Sequence, residues 1–425
     1  MPRDVLQEFM DFNRLFARRS PELLRLKIAR MAEGPFPYFR GTFHVYARDV
    51  VMRLQMPLPL LTGEGAEMDL VGDLHAENFG AFKADDGNVH YDVNDFDETT
   101  RGRFDFDVCR LATSWFLAAR EQQASIADAV RATLAGLDAY TTTLRRLLKK
   151  GKTADFDVHD GAPCGCGPVD RLVEAGAATG RTAFISRITE NEHGRRRLRR
   201  SSQFFNLPDD ERACAARLLT DYVRRQGKDP DDGYYALEDA CGRVAGIGSM
   251  GRFRYAVLLA GKGSADGRNV VLEFKEARPS AYDLDRNRDA DAALLVRRAS
   301  RVVEVQRVSQ AAANRHLGWA VDGTLSFQVR ELGPHDGRVD AAAWQALDAA
   351  RCVASVQAEV LARIHARAVA RAVGPTNPLA ELADADAFLQ RVLAFALGYA
   401  DVVRRDWQRF VGARTQLENV ASWAG

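Results

Sequence analysis

Residues 71–112 read VGDLHAENFGAFKADDGNVHYDVNDFDETTRGRFDFDVCRLA, and the order of signals in this stretch decides the fold. Two short apolar runs, 79–82 and 89–93, flank Asp85-Asp86-Gly87-Asn88, a strong hairpin signal. Residues 107–149 then keep helical spacing. Asp73 and Asn78 lie five apart on a loop opened by Gly72, just before the first strand, and Asp95 follows the second. A hairpin folds its two ends together, so Asn78 and Asp95 can share one ion while Asp73 projects beside it. Hard oxygen donors of this kind suit Mg²⁺. A carboxylate next to the ion is placed to take a proton from a hydroxyl. Asp97 is a further candidate ligand. Taken singly, Asp and Asn are ordinary turn residues; loop, hairpin and following helix together point to chemistry.

The segment resembles the catalytic loop and metal-binding aspartate of aminoglycoside phosphotransferases and, more distantly, of protein kinases. Their pattern runs HGD, four residues, Asn, a hairpin, then an Ile-Asp-Phe-type motif. The resemblance implies that Asp73 is the catalytic base, Asn78 a Mg²⁺ ligand and Asp95 the main one. It gives His75 a counterpart in the catalytic loop. It also makes Asp107, in FDVCRLA, the helix-start aspartate that braces the loop. Val71 stands where that family usually has histidine.

A second block, 244–332, supplies what such a site still needs, a cover for nucleotide phosphates. RVAGIGSMGRFRYAVLL places Gly246, Gly248, Ser249 and Gly251 as G-x-G-S-x-G between two strands, where backbone amides can approach phosphate oxygens. In VVLEFKEA, Lys275 stands where kinase-like folds put the lysine for the α- and β-phosphates. Glu304, among Val302, Val303 and Val305 of the next helix, is the expected partner of Lys275. LSFQVREL resembles the last strand and the hinge that contacts adenine, here Arg330, Glu331 and Leu332. VASVQAEVLARIHARAV resembles the phosphotransferase helix with a Leu-x-x-x-His pattern.

In ordinary kinases the nucleotide-covering half precedes the catalytic loop; here it follows. The expected fold is therefore α+β, a protein-kinase-like (aminoglycoside-phosphotransferase-like) bilobal fold, circularly permuted, with a mainly helical C-lobe. The expected segments are 1–235, the catalytic half with N-terminal helices and an irregular insertion; 236–332, the β-rich nucleotide-binding part; and 333–425, the closing helices. FRG at 39–41, GDLHAEN, DFDE, FKEA, VVEVQR and LARIHAR also resemble an uncharacterised bacterial family, domain-of-unknown-function family 2252, over nearly the whole chain. A family name of this kind carries no activity, so function rests on the site.

The rest of the chain limits the partners. With 59 basic and 58 acidic side chains among 425 residues there is no global field for nucleic acid or an anionic membrane. No run of about 18 apolar residues is present, and the N-terminus lacks the apolar core of a secretory signal. The protein is expected in the cytoplasm, with no membrane or nucleic-acid partner. HGRRRLRR (193–200) is either a phosphate grip or a solvated turn beside an exposed strand. The six cysteines are spaced too irregularly for a disulfide framework. PCGCGP, with His159 nearby, is expected as a turn with incidental thiols rather than a zinc site.

The function expected is ATP- and Mg²⁺-dependent phosphoryl transfer to an unknown hydroxyl-bearing acceptor, small molecule or protein. AMP transfer on the same fold and a nucleotide-binding pseudokinase are the alternatives. The acceptor pocket is expected from 108–235 and 370–425.

Overall fold

The computed structural model describes residues 4–51, 67–150, 163–193, 195–262, 268–283, 292–334, 336–371, 382, 384–420 and 423. Asp4 caps α1 (Val5–Arg19), accepting from the amides of Leu6 and Gln7. Pro21 then opens α2 (Pro21–Ala32). Gly34 precedes α3 (Pro35–Gly41), which carries Pro35 and Pro37 in its first turn and leads into α4 (Phe43–Val51). Proline is tolerated in a first turn because the N–H it lacks has no intrahelical acceptor there.

Residues 67–103 run β1 (Glu67–Leu70), β2 (Phe79–Lys83), β3 (Val89–Val93) and β4 (Thr100–Arg103). β2 and β3 form the expected hairpin, in register from Phe79↔Val93 to Lys83↔Val89. The helical stretch after it is two elements, α5 (Asp105–Glu121) and α6 (Ile126–Lys150), broken where Gln123 takes φ 62°. Residues 163–235, read as irregular, are ordered as α7 (Gly167–Ala178), α8 (Arg181–Ile188), β5 (Thr189–Glu192), β6 (Arg195–Leu198), β7 (Phe204–Phe205) and α9 (Asp209–Arg225).

Then follow β8 (Leu237–Arg243), β9 (Arg254–Leu259), β10 (Val270–Glu276), α10 (Ala292–Ser309), β11 (Gly318–Asp322) and β12 (Leu325–Glu331). The chain closes with α11 (Leu347–Arg371), α12 (Ala385–Gly412) and α13 (Arg414–Glu418). This is a mixed α+β architecture.

β7 to β12 make one antiparallel sheet in the order β11-β12-β10-β9-β8-β7. Alternation along a strand sends Leu272 and Phe274 of β10 to one face, where Val257, Phe327 and Val329 meet Leu218 and Tyr222 of α9. Val271, Ala256 and Leu258 go to the other, under Phe184 and Ile185 of α8 and Leu198 of β6. Glu273 and Lys275 continue that second face. Residues 181–225, expected with the first segment, thus pack on the sheet.

The helical part shares one core, in which Phe9, Phe39, Tyr46, Trp115, Tyr140, Leu361 and Phe388 are buried. Cys166, the N-cap of α7, is disulfide-bonded to Cys352 in α11. This corrects the expectation of incidental thiols: two cysteines 186 positions apart leave no spacing signal. Cys164 is a free thiol, and His159 lies outside the described residues. No helix among the described residues is long and apolar enough to cross a membrane.

Candidate active site

The loop after β1 is held from below by α5. Asp107, fully buried, accepts from the amides of Val71 at 2.8 Å and Gly72 at 2.9 Å. Gly72 takes φ +98°, and a Cβ there would lie 2.1 Å from the carbonyl oxygen of Glu98, so glycine is required. Val71 itself is core. A histidine comes instead from α11: His365 Nε2 lies 3.5 Å from Asp107 Oδ2 and its Nδ1 2.7 Å from Tyr140 Oη. Asp107→Ala would leave two buried amides without acceptors, at about 1–3 kcal/mol each. Denaturant unfolding should register that loss; a change under about 0.5 kcal/mol, the size of a neutral surface substitution, would contradict the bracing role.

Arg110, one helical turn after Asp107, grips Asp73 Oδ1 through Nε at 3.0 Å and Nη2 at 2.6 Å. Its guanidinium lies 3.6 Å from the Phe39 ring centroid. Burial, helped by the charges of Glu98 and Asp95, pushes Asp73 up to about 7 although Arg110 opposes the shift. Asp73 Oδ2 is directed toward Gly248. Reading the loop alone missed Arg110; its position three residues past Asp107, on the same helix face, was the available signal.

Asn78 donates from Nδ2 to the carbonyl oxygen of Asp73, which leaves its Oδ1 for other partners. Its carbonyl accepts from the Asn94 amide at 2.9 Å, so the hairpin brings Asn78 beside Asp95. His75 caps the short turn 76–78, with Nδ1 accepting from Glu77 at 3.2 Å. Burial, with Arg40, Arg110 and Arg338 nearby, keeps its imidazole well below its ordinary pKa.

The second sequence block meets the first here. Lys275 Nζ lies 3.0 and 3.1 Å from the two oxygens of Asp95, 180 positions away in the chain, and 2.5 Å from Asp97 Oδ2. Burial alone would raise the Asp95 carboxyl, but Lys275, with Arg254 and Arg330 behind it, holds it below the ordinary carboxylate range. Gly246 and Gly248 line the same cleft, a cavity of about 610 Å³ that also reaches Asp73, Asn78, Asp95, Asp97 and Lys275. Gly251 takes φ +105° and turns away, toward Phe16. The side chain of Ser249 lies outside the described residues.

Two expectations are corrected. Glu304 is exposed and forms no pair with Lys275. The buried stripe of α10 runs through Val302, Gln306 and Ser309 and on to Gln310 just past its end, a helical period that leaves Glu304 outside. Gln306 bonds to Gln328 of β12, and Gln310 donates to the carbonyl of Val93 at 2.7 Å. Second, of the hinge residues only Arg330 faces the cleft. Glu331 points to the opposite face and pairs with Arg181, while Leu332 is buried beside Val271. Of the two readings of the basic stretch, the structure fits the solvated turn: Arg195–Leu198 forms a mostly exposed strand paired with β5, with Arg197 on Glu192 and Arg200 on Asp239.

The deep end of the cleft carries charge that sequence reading did not find. Glu273, two residues before Lys275 on the same strand face, is fully buried among Arg243, Arg254 and Arg330. Burial would raise its carboxyl, yet the three guanidiniums hold it well below its ordinary value. Eight cationic side chains line the cleft, Arg30, Arg40, Arg243, Arg252, Arg254, Lys275, Arg330 and Arg338. Five acids accompany them, Asp73, Asp95, Asp97, Glu98 and Asp336. Glu273 and Glu77, just outside this lining, pair with five of the arginines, which leaves the cleft a small cationic excess. Among the described residues no three His, Cys, Asp or Glu side chains gather as a metal centre.

A protein-family model described as "Uncharacterized protein conserved in bacteria (DUF2252)" matches residues 19–413. No curated protein and no solved structure matches the chain.

Proposed function

The chain belongs to that bacterial family, and we propose that it transfers a phosphoryl group from ATP to a hydroxyl, with Mg²⁺, on a circularly permuted kinase-like fold. The observation that carries the proposal is the meeting of Lys275 with Asp95 at 3.0 Å. Two sequence blocks that resemble the two halves of a kinase site, in inverted order, converge on one cleft. The sheet supports the same reading. Its glycine turn joins β8 to β9, its lysine lies on the next strand, β10, and α10 follows, the order used by kinase-like enzymes.

The donor set fits Mg²⁺, which takes one or two carboxylates together with substrate phosphates rather than an all-protein cage. Asn78 Oδ1 and Asp95 would hold it, with Asp97 next to them, and the ion supplies charge neutralisation across the phosphates. Asp73 takes the proton of the acceptor hydroxyl as that oxygen bonds to the γ-phosphorus. The bond from γ-phosphorus to its bridging oxygen breaks, and ADP leaves. Arg110 fixes one oxygen of Asp73 and leaves the other for the proton. Lys275 and the cleft arginines bind phosphate oxygens, so the protein's contribution is positioning and charge.

A second reading, AMP transfer, is favoured by the deep end of the cleft. An adenine ring wants a flat apolar slot; the Glu273 cluster and the cover of α8 put arginines and closed core there. A triphosphate entering tail first would set its β- and γ-phosphates on Arg243, Arg254 and Arg330 and its α-phosphorus nearer Asp73. Pyrophosphate would then leave.

Both readings require MgATP to bind the folded chain. MgATP at 100 times its Kd should stabilise the protein by about 2.7 kcal/mol, seen as a rise in Tm. Lys275→Ala should blunt that rise. No ATP-dependent rise with any of several divalent metals would overturn both readings.

A further inference from the structure

Asp73 stands between two cavities. Beside the cleft lies a second one of about 360 Å³ that shares Asp73, Gly248, Arg40, Glu98 and Arg252 with it. Its walls come from α1, α2, the α3–α4 junction and the segments 248–252 and 278–281. We propose that this second cavity is the acceptor subsite and that it takes a small hydroxylated anion, whose negative group sits on Lys27 while its hydroxyl meets Asp73. The proposal rests on the transfer reading above, and it moves the acceptor pocket away from 108–235 and 370–425, where sequence reading expected it.

Lys27 carries the argument. It lines the cavity and is 2% exposed, yet among the described residues its ammonium has one hydrogen-bond partner, Asn13 Oδ1 at 3.1 Å. Asn13 is itself fixed in that orientation, because its Nδ2 donates to the Phe9 carbonyl at 2.8 Å. Among the described residues no carboxylate lies within ion-pair distance of Lys27. The other lining cations all have acids: Arg40 pairs with Glu77, Arg252 with Glu98 and Arg278 with Glu276. A buried ammonium with only a neutral partner is costly to keep charged. Burial, with Arg252 and Arg278 adding to it, accordingly lowers Lys27 to about 7. An anion in the cavity would supply the missing counter-charge and fill the remaining donor positions.

The rest of the cavity sets the size and shape of the ligand. Phe12 stacks on His44 with ring centroids 3.9 Å apart and planes 2° from parallel, giving a flat wall that Phe16 and Phe43 extend. Asp11, the one lining acid outside the Asp73–Glu98 side, is spent on Gln7 and Arg14. Asp73 and Lys27 both line this cavity of about 360 Å³, so one small molecule can span the two. A polycationic acceptor would set its charge against Lys27, whereas a carboxylate or phosphate ester would be held by it.

The test uses the full chain with glycerate, 3-phosphoglycerate and glucose 6-phosphate as anionic probes. Glycerol, glucose and kanamycin serve as neutral and cationic counterparts. Tm is measured in the presence of MgADP, and ATP consumption is measured in parallel. Anionic members should raise Tm and stimulate ATP consumption above their counterparts. Lys27→Gln should raise the half-saturating concentration of the active anion by about tenfold or more while leaving that of MgATP within about twofold. Phe12→Ala changes a side chain 41% exposed, which the fold tolerates, and should weaken the same acceptor. The proposal is overturned if only neutral or cationic members act, if no anion shifts Tm, or if both variants keep the native acceptor response. Failure of the underlying transfer reading shows differently, as an anion-dependent rise in Tm with no ATP consumption, or as absence of the MgATP shift itself.

Discussion

Asp95→Ala is expected to abolish turnover and to remove the Mg²⁺ dependence of ATP binding together. Asp95 has two roles in the proposed site. It is the carboxylate beside Asn78 that would hold the ion, and it is the acid on which Lys275 rests at 3.0 and 3.1 Å. Charge stabilisation by a bound metal is worth several kcal/mol in the transition state. A loss of about 4 kcal/mol corresponds to roughly a 10³-fold fall in kcat. Because the side chain is about one-third exposed at the cleft, its removal should cost the fold little. Tm without ligand is the control. Turnover of Asp95→Ala within about tenfold of wild type would remove Asp95 from the metal site.

The second large effect is on the base. Asp73→Asn should lower kcat by about 10²–10⁴-fold, the usual range for general-base catalysis, with the half-saturating MgATP concentration nearly unchanged. Asparagine keeps an oxygen for Arg110, which otherwise loses its carboxylate partner inside the protein. The substitution therefore separates proton transfer from packing. Full activity in Asp73→Asn would make Asp73 a positioning residue of the loop and leave proton removal to another group.

How far the fold and site can be read from the sequence depends on how local each signal is. The β2–β3 hairpin was legible to within a residue, because the turn 84–88 carries its own chemistry and Gly87 takes φ +89°. The two motif blocks were expected to share one site, and the structure brings them together more directly than that, with Lys275 on Asp95 itself. What remained hidden involves contacts between distant elements. Glu304 looked inward by its apolar neighbours, but the sheet and the hairpin select the face of α10 that carries Gln306 and leads to Gln310. The arginine cluster depends on strand register, which pairs Glu273 with Arg330 on one side and with Ala256 on the other. Only alternation along β10, with a charge two residues before Lys275 in a buried strand, hinted at it. The second cavity is assembled from helices at the start of the chain and a turn over 200 residues later, and no local pattern marks such an assembly.

The central claim is that this cleft moves a phosphorus-containing group from ATP. The most direct measurement incubates the intact protein with Mg²⁺, an extract of metabolites and proteins, and ATP labelled at either the γ- or the α-phosphorus. The account predicts label on a new product in the wild type and none with Asp95→Ala. Label from the γ-position marks phosphoryl transfer, and label from the α-position marks AMP transfer through the arginine-lined end. Label that leaves ATP from neither position, or that transfers equally well with Asp95→Ala, would contradict the account.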